Sequence, residues 1–393
     1  MSLKPHFSRF LGAHPQRLNF CAHSLHPWPD VSFDAQQQAW IDAAEQLETR
    51  WTRLFSERVP EAQHHLARIL NLPDPASLCF GGNTHEFLVR LLSGVESRPF
   101  RVLTTDGEFL SVSRQLARLV EAGHCTVETV PVEPFENFPG RFAAAARAGG
   151  HHLIYFSQVF YNSGYWVEDL ASLVAAVPSS RSLIVIDGYH GFMAVPTDLS
   201  RLAHRVFYLA GGHKYGMAGE GVAFLHSPPG QVPRPLLTGW LASFGALERA
   251  ADEQIHYPAD GGRFWGATFD PTALYRLTAV MDWVRRYQIT VQRLHAQISD
   301  LQRELLEGLD RRGHPVLNRM HLLPPTGQRR GNFLSFRHPG ASAVQQALAD
   351  VGVLTDVRAD RLRVGLGLYH DSTDVAELLR RIDQSGRNER SRV

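Results

Sequence analysis

Six short apolar runs recur through the middle of the chain, and helix-like stretches separate them. The runs are rich in Val, Ile, Leu and Phe with little polar alternation, which is typical of strands buried on both faces. They lie at 101–104, 126–132, 153–156, 183–186, 206–209 and 222–225. Helical patterns at 113–122 and 142–148 fall between them. Strands that alternate with helices predict an α/β unit with a largely parallel sheet.

The two ends of the chain follow other patterns. Residues 1–35 are rich in His, Pro and Phe and show little periodicity, so we expect an extended arm there, followed by a helix over about 34–70. After an irregular Pro- and Gly-rich stretch at 227–272, apolar residues recur on one face of a long helix. They are Leu294, Ile298, Leu301 and Leu305. The segment 331–382 then alternates strand, helix, strand and helix, which predicts a small α+β unit.

These patterns divide the chain into three parts. An N-terminal arm at 1–45 is expected to pack with the small domain. A large domain covers 46–272, and an interdomain helix with the small C-terminal domain covers 273–393.

Composition narrows the class of protein. The 393 residues are 44% hydrophobic and 20% charged, and the net charge is +1 without a basic run, so we expect no nucleic-acid partner. The apolar runs are strand-sized, far short of the ~20 residues that span a bilayer, so we expect no membrane association. Three widely spaced cysteines indicate no disulfide framework and favour a reduced, cytoplasmic location. The adjacent pairs His64-His65 and His151-His152 point their side chains apart, so no metal site is expected.

Two strand ends carry the strongest chemical signal. The run at 183–186 ends in Asp187, and the run at 206–209 leads into a Gly-rich turn that holds Lys214. Ligands of open α/β sheets bind at the carboxyl ends of the strands. A desolvated lysine there is a Schiff-base nucleophile, and a nearby Asp is the partner that a protonated pyridine nitrogen needs. For either residue alone, a helix cap or a surface lysine is the ordinary interpretation.

The sequence around these residues resembles the fold-type I enzymes that use pyridoxal 5'-phosphate (PLP), specifically the class V aminotransferase group. That group's strand–Asp–x–x–His motif matches Asp187 and His190, and its later motif matches His213 and Lys214. The resemblance implies a large domain with a mostly parallel sheet that binds PLP, plus the small α+β domain. It implies Lys214 and Asp187 as catalytic residues.

The resemblance implies further contacts with PLP. The glycine-led loop with Asn83 and Thr84 opens a helix and holds the phosphate in the family, although Asn83 and Glu86 are also spaced like an ordinary capping box. By the same resemblance, Phe109 is the flat side chain that would stack on the pyridine ring. Gln158 faces the cofactor, and Tyr161 is the weaker candidate beside it.

Two regions resemble the kynureninase branch of the group. The arm around Ser24 is similar to the kynureninase arm, and the segment after Arg363 is similar to that family's C-terminal motif. This implies that Ser24 and Arg363 bind the substrate, because a guanidinium matches a carboxylate in a bidentate manner. Trp240 and Thr268 match segments that reach the partner subunit's cofactor, which implies a homodimer with an amino-acid substrate.

The chain departs from kynureninases at several of these motifs. His213 stands where kynureninases commonly carry Tyr, His26 where the arm has Gly, and Leu88 where a His binds the substrate ring. The resemblance implies hydrolytic Cβ–Cγ cleavage of kynurenine or a related aryl-keto amino acid. Because of the departures, a class V aminotransferase or β-eliminating lyase acting on another amino acid is the alternative. A non-catalytic scaffold with the same fold is the third possibility. Cysteine desulfurase chemistry is disfavoured, because no Cys lies after Cys125.

Overall fold

The N-terminal region is more helical than the predicted extended arm. The computed structural model describes residues 2–230, 233–246 and 255–390. The first elements are α1 (Ser8–Gly12), β1 (Leu18–Asn19), α2 (Asp30–Gln46), α3 (Arg50–Arg53) and α4 (Val59–Leu70). The single predicted helix over 34–70 is thus three helices, since Leu47 adopts a positive φ of 48° that ends α2.

A seven-stranded sheet forms the centre of the molecule. Its strands are β2 (Leu78–Gly81), β3 (Phe100–Thr105), β4 (Cys125–Val130), β5 (Leu153–Ser157), β6 (Leu183–Asp187), β7 (Phe207–Gly211) and β8 (Ala223–His226). Their spatial order is β2-β8-β7-β6-β5-β3-β4. The five strands from β3 to β7 run parallel, while β8 and β2 pair antiparallel at one edge. The predicted largely parallel sheet is confirmed.

Helices cover this sheet and bury its strands. They are α5 (Thr84–Ser93), α6 (Leu110–Glu121), α7 (Phe138–Ala148) and α8 (Leu170–Ala175). Every residue of β5, β6 and β7 is buried, as the unbroken apolar runs require. In the sheet register Ser157 lies beside Asp187, which lies beside Leu209. The carboxyl ends of these three strands therefore meet at one edge.

Two long helices lead to a second, smaller sheet. These are α9 (Thr272–Arg286) and α10 (Val291–Arg312), followed by β9 (Leu322–Leu323), β10 (Phe333–Arg337), α11 (Ala341–Asp350), β11 (Val353–Leu354), β12 (Asp356–Arg358), β13 (Arg361–Gly365) and α12 (Ser372–Arg390). The four-stranded sheet has the order β12-β13-β10-β9. The short β1 pairs in parallel with β11, so the N-terminal segment docks on the C-terminal part of the chain. No helix within the described ranges is long and apolar enough to cross a bilayer.

Candidate active site

The two sheets enclose a cavity of about 430 Å³ at the carboxyl ends of β5, β6 and β7. Asp187, the last residue of β6, lines it, and so does Lys214, three residues after the end of β7. As the sequence predicts, the two side chains lie together at one edge of the sheet.

Lys214 is held among aromatic rings and a histidine. Its Nζ lies 3.3 Å from Nδ1 of His190, 4.5 Å from the ring centre of Tyr189 and 5.4 Å from that of Phe109. Burial lowers the pKa of the Lys214 amine to about 7, and the nearby Asp187 carboxylate only partly offsets this. A large fraction of the amine is then unprotonated near neutral pH, as a nucleophile or base requires.

Asp187 is fixed in place by two hydrogen bonds. It accepts one from the hydroxyl of Tyr155 at 2.7 Å and one from the backbone N–H of Tyr189 at 2.8 Å. Burial raises the pKa of this carboxyl, whereas the two donors and the Lys214 charge act in the opposite direction. Each carboxylate oxygen has a second lone pair, so Asp187 retains the capacity to accept a bond from a ligand in the cavity.

The N-terminus of α5 faces the cavity from the large-sheet side. Asn83 caps this ten-residue helix: its Oδ1 accepts a hydrogen bond from the backbone N–H of Glu86 at 3.0 Å, and its side-chain amide donates to Oε1 of Glu86 at 3.2 Å. Asn83, Thr84 and His85 line the cavity. The unpaired N–H groups of a first helical turn attract an anion such as a phosphate, and the Thr84 hydroxyl adds a donor.

Three residues predicted to contact the cofactor lie away from the cavity of this chain. Gln158 is buried behind it, where its side chain donates to Thr197 at 2.9 Å and accepts from Tyr208 at 3.0 Å. Trp240 donates to Thr268 at 3.1 Å in a partly exposed segment. Gln158 does not line the cavity in this side-chain position, and its contact with a cofactor stays a prediction. Trp240 and Thr268 remain predictions about a second subunit.

The remaining predicted residues converge on the cavity. Phe109, His190, His213, Ser24 and Arg363 all line it. The weaker candidate Tyr161 lines it as well, with its ring edge-on to Phe109 at 5.3 Å.

Arg363 already has hydrogen-bond partners within the chain, Asp356 and Tyr161. It is 3% exposed, and Nε and Nη2 donate to the carboxylate of Asp356, with Nε 2.8 Å from Oδ1. Its Nη1 donates to the carbonyl of Tyr161 at 2.6 Å. Asp356 stands directly opposite Arg363 in the β12–β13 pairing, so hairpin register is the sequence signal that identifies it.

Two more groups near the site were missed by the sequence analysis. His23 is fully buried, lines the cavity, and lies 3.0 Å through Nε2 from Oδ1 of Asp356. Glu108 accepts hydrogen bonds from Thr105, at 2.6 Å, and from the backbone and hydroxyl of Ser157, at 3.1 and 2.6 Å. Burial raises the pKa of Glu108 to about 8, and the three donors only partly offset it.

The chain is similar to known proteins both in its C-terminal part and over longer stretches. The family model of the kynureninase C-terminal domain matches residues 294–382. A kynureninase from Pseudomonas fluorescens is 31% identical over 232 residues, which is 57% of this chain and 53% of that protein. A kynureninase from Deinococcus radiodurans is 27% identical over 288 residues, 70% of this chain and 65% of that protein. The first of these matches thus spans about half the length of the relative.

Solved structures agree with the fold. A variant of the cystine C–S lyase C-DES, with glycine covalently linked to its PLP cofactor, superposes with a TM-score of 0.81 at 19% identity over 95% of this chain and 98% of that chain. A cysteine desulfurase from Thermococcus onnurineus NA1 gives 0.79 at 17% identity over 96% and 97%. The chain therefore has the α/β fold of the fold-type I PLP enzymes, and the resemblance to the class V group and its kynureninase branch is confirmed.

Proposed function

We propose that this protein is a PLP-dependent enzyme that binds its cofactor through Lys214 and acts on an amino acid. One observation carries the proposal. Of the 40 lysines and arginines in the chain, only Lys4 and Lys214 are lysines. Lys4 forms surface ion pairs with Asp371 and Asp374, whereas Lys214 faces a cavity with a carboxylate and a helix N-terminus.

The residues of the cavity fit PLP at three points. The aldehyde carbon needs a deprotonated amine, which Lys214 supplies. The pyridine nitrogen needs a carboxylate, and Asp187 has an unused lone pair on each oxygen. The phosphate needs N–H and hydroxyl donors, which the first turn of α5 and Thr84 supply. When bound, PLP supplies an electron sink that stabilises negative charge on the substrate's Cα.

The chain's own groups hold and move the protons. Asp187 would hold a proton on the pyridine nitrogen of bound PLP, because a carboxylate stabilises an adjacent cation. With the cofactor bound, the unprotonated Lys214 amine would be the group that takes a proton from the substrate's Cα. His190 lies 3.3 Å from Nζ and burial holds its pKa well below the usual range, so it is a neutral neighbour that adds no competing charge.

Arg363 binds the substrate carboxylate in this proposal. A guanidinium has five N–H donors, of which three are used by Asp356 and Tyr161. Two donors remain for a carboxylate in the cavity. Ser24 lines the same wall and is proposed as a second substrate contact.

The reaction proposed is kynureninase-like: hydrolytic cleavage of the Cβ–Cγ bond of kynurenine or a related aryl-keto amino acid. The matched region of the kynureninase family model includes Arg363, and two kynureninases are among the curated relatives. Leu88, which replaces the ring-binding His of kynureninases, is buried in the core, whereas His85 one turn earlier lines the cavity. We propose that His85 contacts the substrate ring instead.

An alternative reaction is transamination or β-elimination through the same first steps. The observation that favours it is His213, which stands where kynureninases commonly carry Tyr and lies 3.3 Å from Oε1 of Glu220. Desulfurase chemistry is not proposed. The thiol nearest the Asp356–Arg363 pair is Cys21, and burial raises its pKa to about 12, so it is protonated and a poor nucleophile.

We further propose a homodimer in which Trp240 and Thr268 complete the neighbouring subunit's phosphate site. Large apolar side chains at and just before Trp240 are exposed, namely Leu236 at 77%, Leu237 at 52% and Trp240 at 38%. Exposed apolar clusters of this kind mark association surfaces. Light scattering of the active protein should give the mass of two chains, and a fully active monomer would contradict the proposal.

A product assay tests the reaction. The pure protein, loaded with PLP, is mixed with kynurenine, 3-hydroxykynurenine and a panel of amino acids with a keto acid. We expect alanine and an aminobenzoic acid from the first two substrates. Pyruvate and ammonia as products would instead indicate β-elimination. A new amino acid made from the keto acid would indicate transamination.

A further inference from the structure

His23 and Arg363 line the cavity, and Asp356 connects them, so three side chains from three separate segments form one cluster. His23 comes from the turn after β1, Asp356 from β12 and Arg363 from β13. Oδ1 of Asp356 accepts from Nε2 of His23 at 3.0 Å and from Nε of Arg363 at 2.8 Å. Oδ2 accepts from Nη2 of Arg363. The bidentate pair fixes the plane of the guanidinium.

His23 contributes a donor without a charge. It is fully buried, and burial, with the Arg363 charge, lowers the pKa of its ring to about 4 despite the hydrogen bond to Asp356. A neutral imidazole has a single N–H, and a carboxylate only accepts, so the proton is on Nε2. The ring lies 4.8 Å from that of Phe333 in a stacked arrangement, and a Cβ at Gly365 would lie 2.0 Å from Nδ1. Glycine at that position therefore makes room for the histidine.

Asp356 stays ionised in this setting. Burial alone would raise the pKa of its carboxyl, but the hydrogen bond from His23 and the Arg363 guanidinium outweigh burial and hold the pKa well below the usual range. Arg358 adds a further charge, with Nη2 3.5 Å from Oδ2. Both carboxylate oxygens of Asp356 thus accept hydrogen bonds. The carboxylate thereby fixes the orientation of the Arg363 guanidinium and of its two remaining N–H groups.

We propose that Asp356 is the positioning residue for the substrate's α-carboxylate, that it acts through Arg363, and that His23 locks it in place. The inference rests on the proposed PLP-dependent function and adds the residues that set its preference for amino acids over amines. Arg363 is held before substrate arrives, so little rotamer freedom is lost when a carboxylate binds its two remaining N–H groups.

The test measures how much the α-carboxylate contributes to binding. The probes are L-kynurenine and kynuramine, which differ only in that carboxylate, and rapid-mixing titration of the PLP absorbance, read before turnover, gives Kd for each with the PLP-loaded protein. In Asp356→Asn the Kd for kynurenine should rise about tenfold or more, as expected when one partner of a desolvated charge pair is lost. The Kd for kynuramine should change less than about twofold, because kynuramine has no α-carboxylate for Arg363 to bind. PLP affinity should be unchanged, because Asp356 does not line the cavity.

Two further variants keep the test decisive. His23→Gln leaves the Asp356–Arg363 pair intact and should weaken kynurenine binding by about threefold, again without an effect on kynuramine. The control is Asp360→Asn, because Asp360 is 51% exposed in the β12–β13 turn and lies 3.9 Å from Arg361. It should alter neither Kd. Thermal unfolding of each apoprotein reports whether the variant folds.

The outcomes separate this inference from the proposed function. Equal weakening of both probes, or a parallel loss of PLP affinity, in Asp356→Asn and His23→Gln would show that the cluster is only structural. A wild-type protein that binds kynuramine as tightly as kynurenine would also overturn the inference. A wild-type protein that fails to bind PLP at Lys214 would instead overturn the proposed function.

Discussion

The two walls of the cavity are built in different ways. On the large-sheet side, Asp187 ends β6 and Lys214 follows the end of the parallel neighbour β7, and both residues line the cavity. On the small-sheet side, Arg363 is already bound to Asp356, which is bound to His23. The first wall offers separate groups to a large ligand, whereas the second is a connected network.

Because the two walls are built differently, we expect them to respond differently to substitution. Removing a group from the large-sheet wall takes away a direct contact with the bound molecule, so chemistry should be lost. Removing a group from the network changes the orientation of Arg363, so binding should weaken while chemistry continues once substrate is bound.

The largest effect is expected for Lys214→Ala on the large-sheet wall. It removes both the covalent attachment point and the base at Cα, so turnover should fall by at least about 10³-fold. The apoprotein should stay folded, because the lost amine makes no ion pair within hydrogen-bond distance among the described residues. The matched control is Lys4→Ala, which should retain wild-type turnover in the same steady-state assay. Comparable losses in both variants would remove Lys214 from the mechanism.

A smaller and different effect is expected for Arg363→Lys on the network wall. Lysine keeps the charge but cannot make a bidentate pair with Asp356 and hold a carboxylate as well. KM for the amino acid should rise about tenfold or more, a loss of ~1.4 kcal/mol, with kcat changed much less. PLP affinity should stay near the wild-type value. An unchanged KM for every substrate found would exclude Arg363 from substrate binding.

The smallest effect concerns Glu108, which lies behind the large-sheet wall. Its folded-state pKa of about 8 exceeds the ordinary value of 4.5, so the folded protein keeps a proton that the unfolded chain releases. Its contribution to stability is therefore complete below about pH 4.5 and is lost as pH rises through about 8. Glu108→Gln should flatten that decline, by about 1 kcal/mol or more across the window, in urea unfolding of the apoprotein.

The control for Glu108 is the surface variant Glu121→Gln. Its side chain is 70% exposed and forms a loose ion pair with Arg118, so the pH dependence of unfolding should match that of the wild type. A Glu108→Gln curve that runs parallel to the wild-type curve over the whole range would show that this carboxyl is ionised in the folded state.

The large-sheet wall could be predicted from sequence because it follows from local rules. Buried strands end at Asp187 and just before Lys214, and parallel strands bring such ends together. The network wall could be predicted only in part. Arg363 follows from a motif, but Asp356 depends on the register of a hairpin and His23 on how the N-terminal segment docks beside Gly365. The side-chain direction of Gln158, toward Tyr208 and Thr197, likewise depends on tertiary packing that the sequence does not show.

The most direct test of the central claim is to find which amine carries the cofactor. The wild-type protein is incubated with PLP, reduced with borohydride, digested and mapped by mass spectrometry. With only two lysines, the chain offers a simple readout. We predict that the reduced cofactor is attached to Lys214 in nearly every molecule and is absent from Lys4 and the α-amino group. Attachment to Lys4, or no covalent attachment at all, would contradict the account.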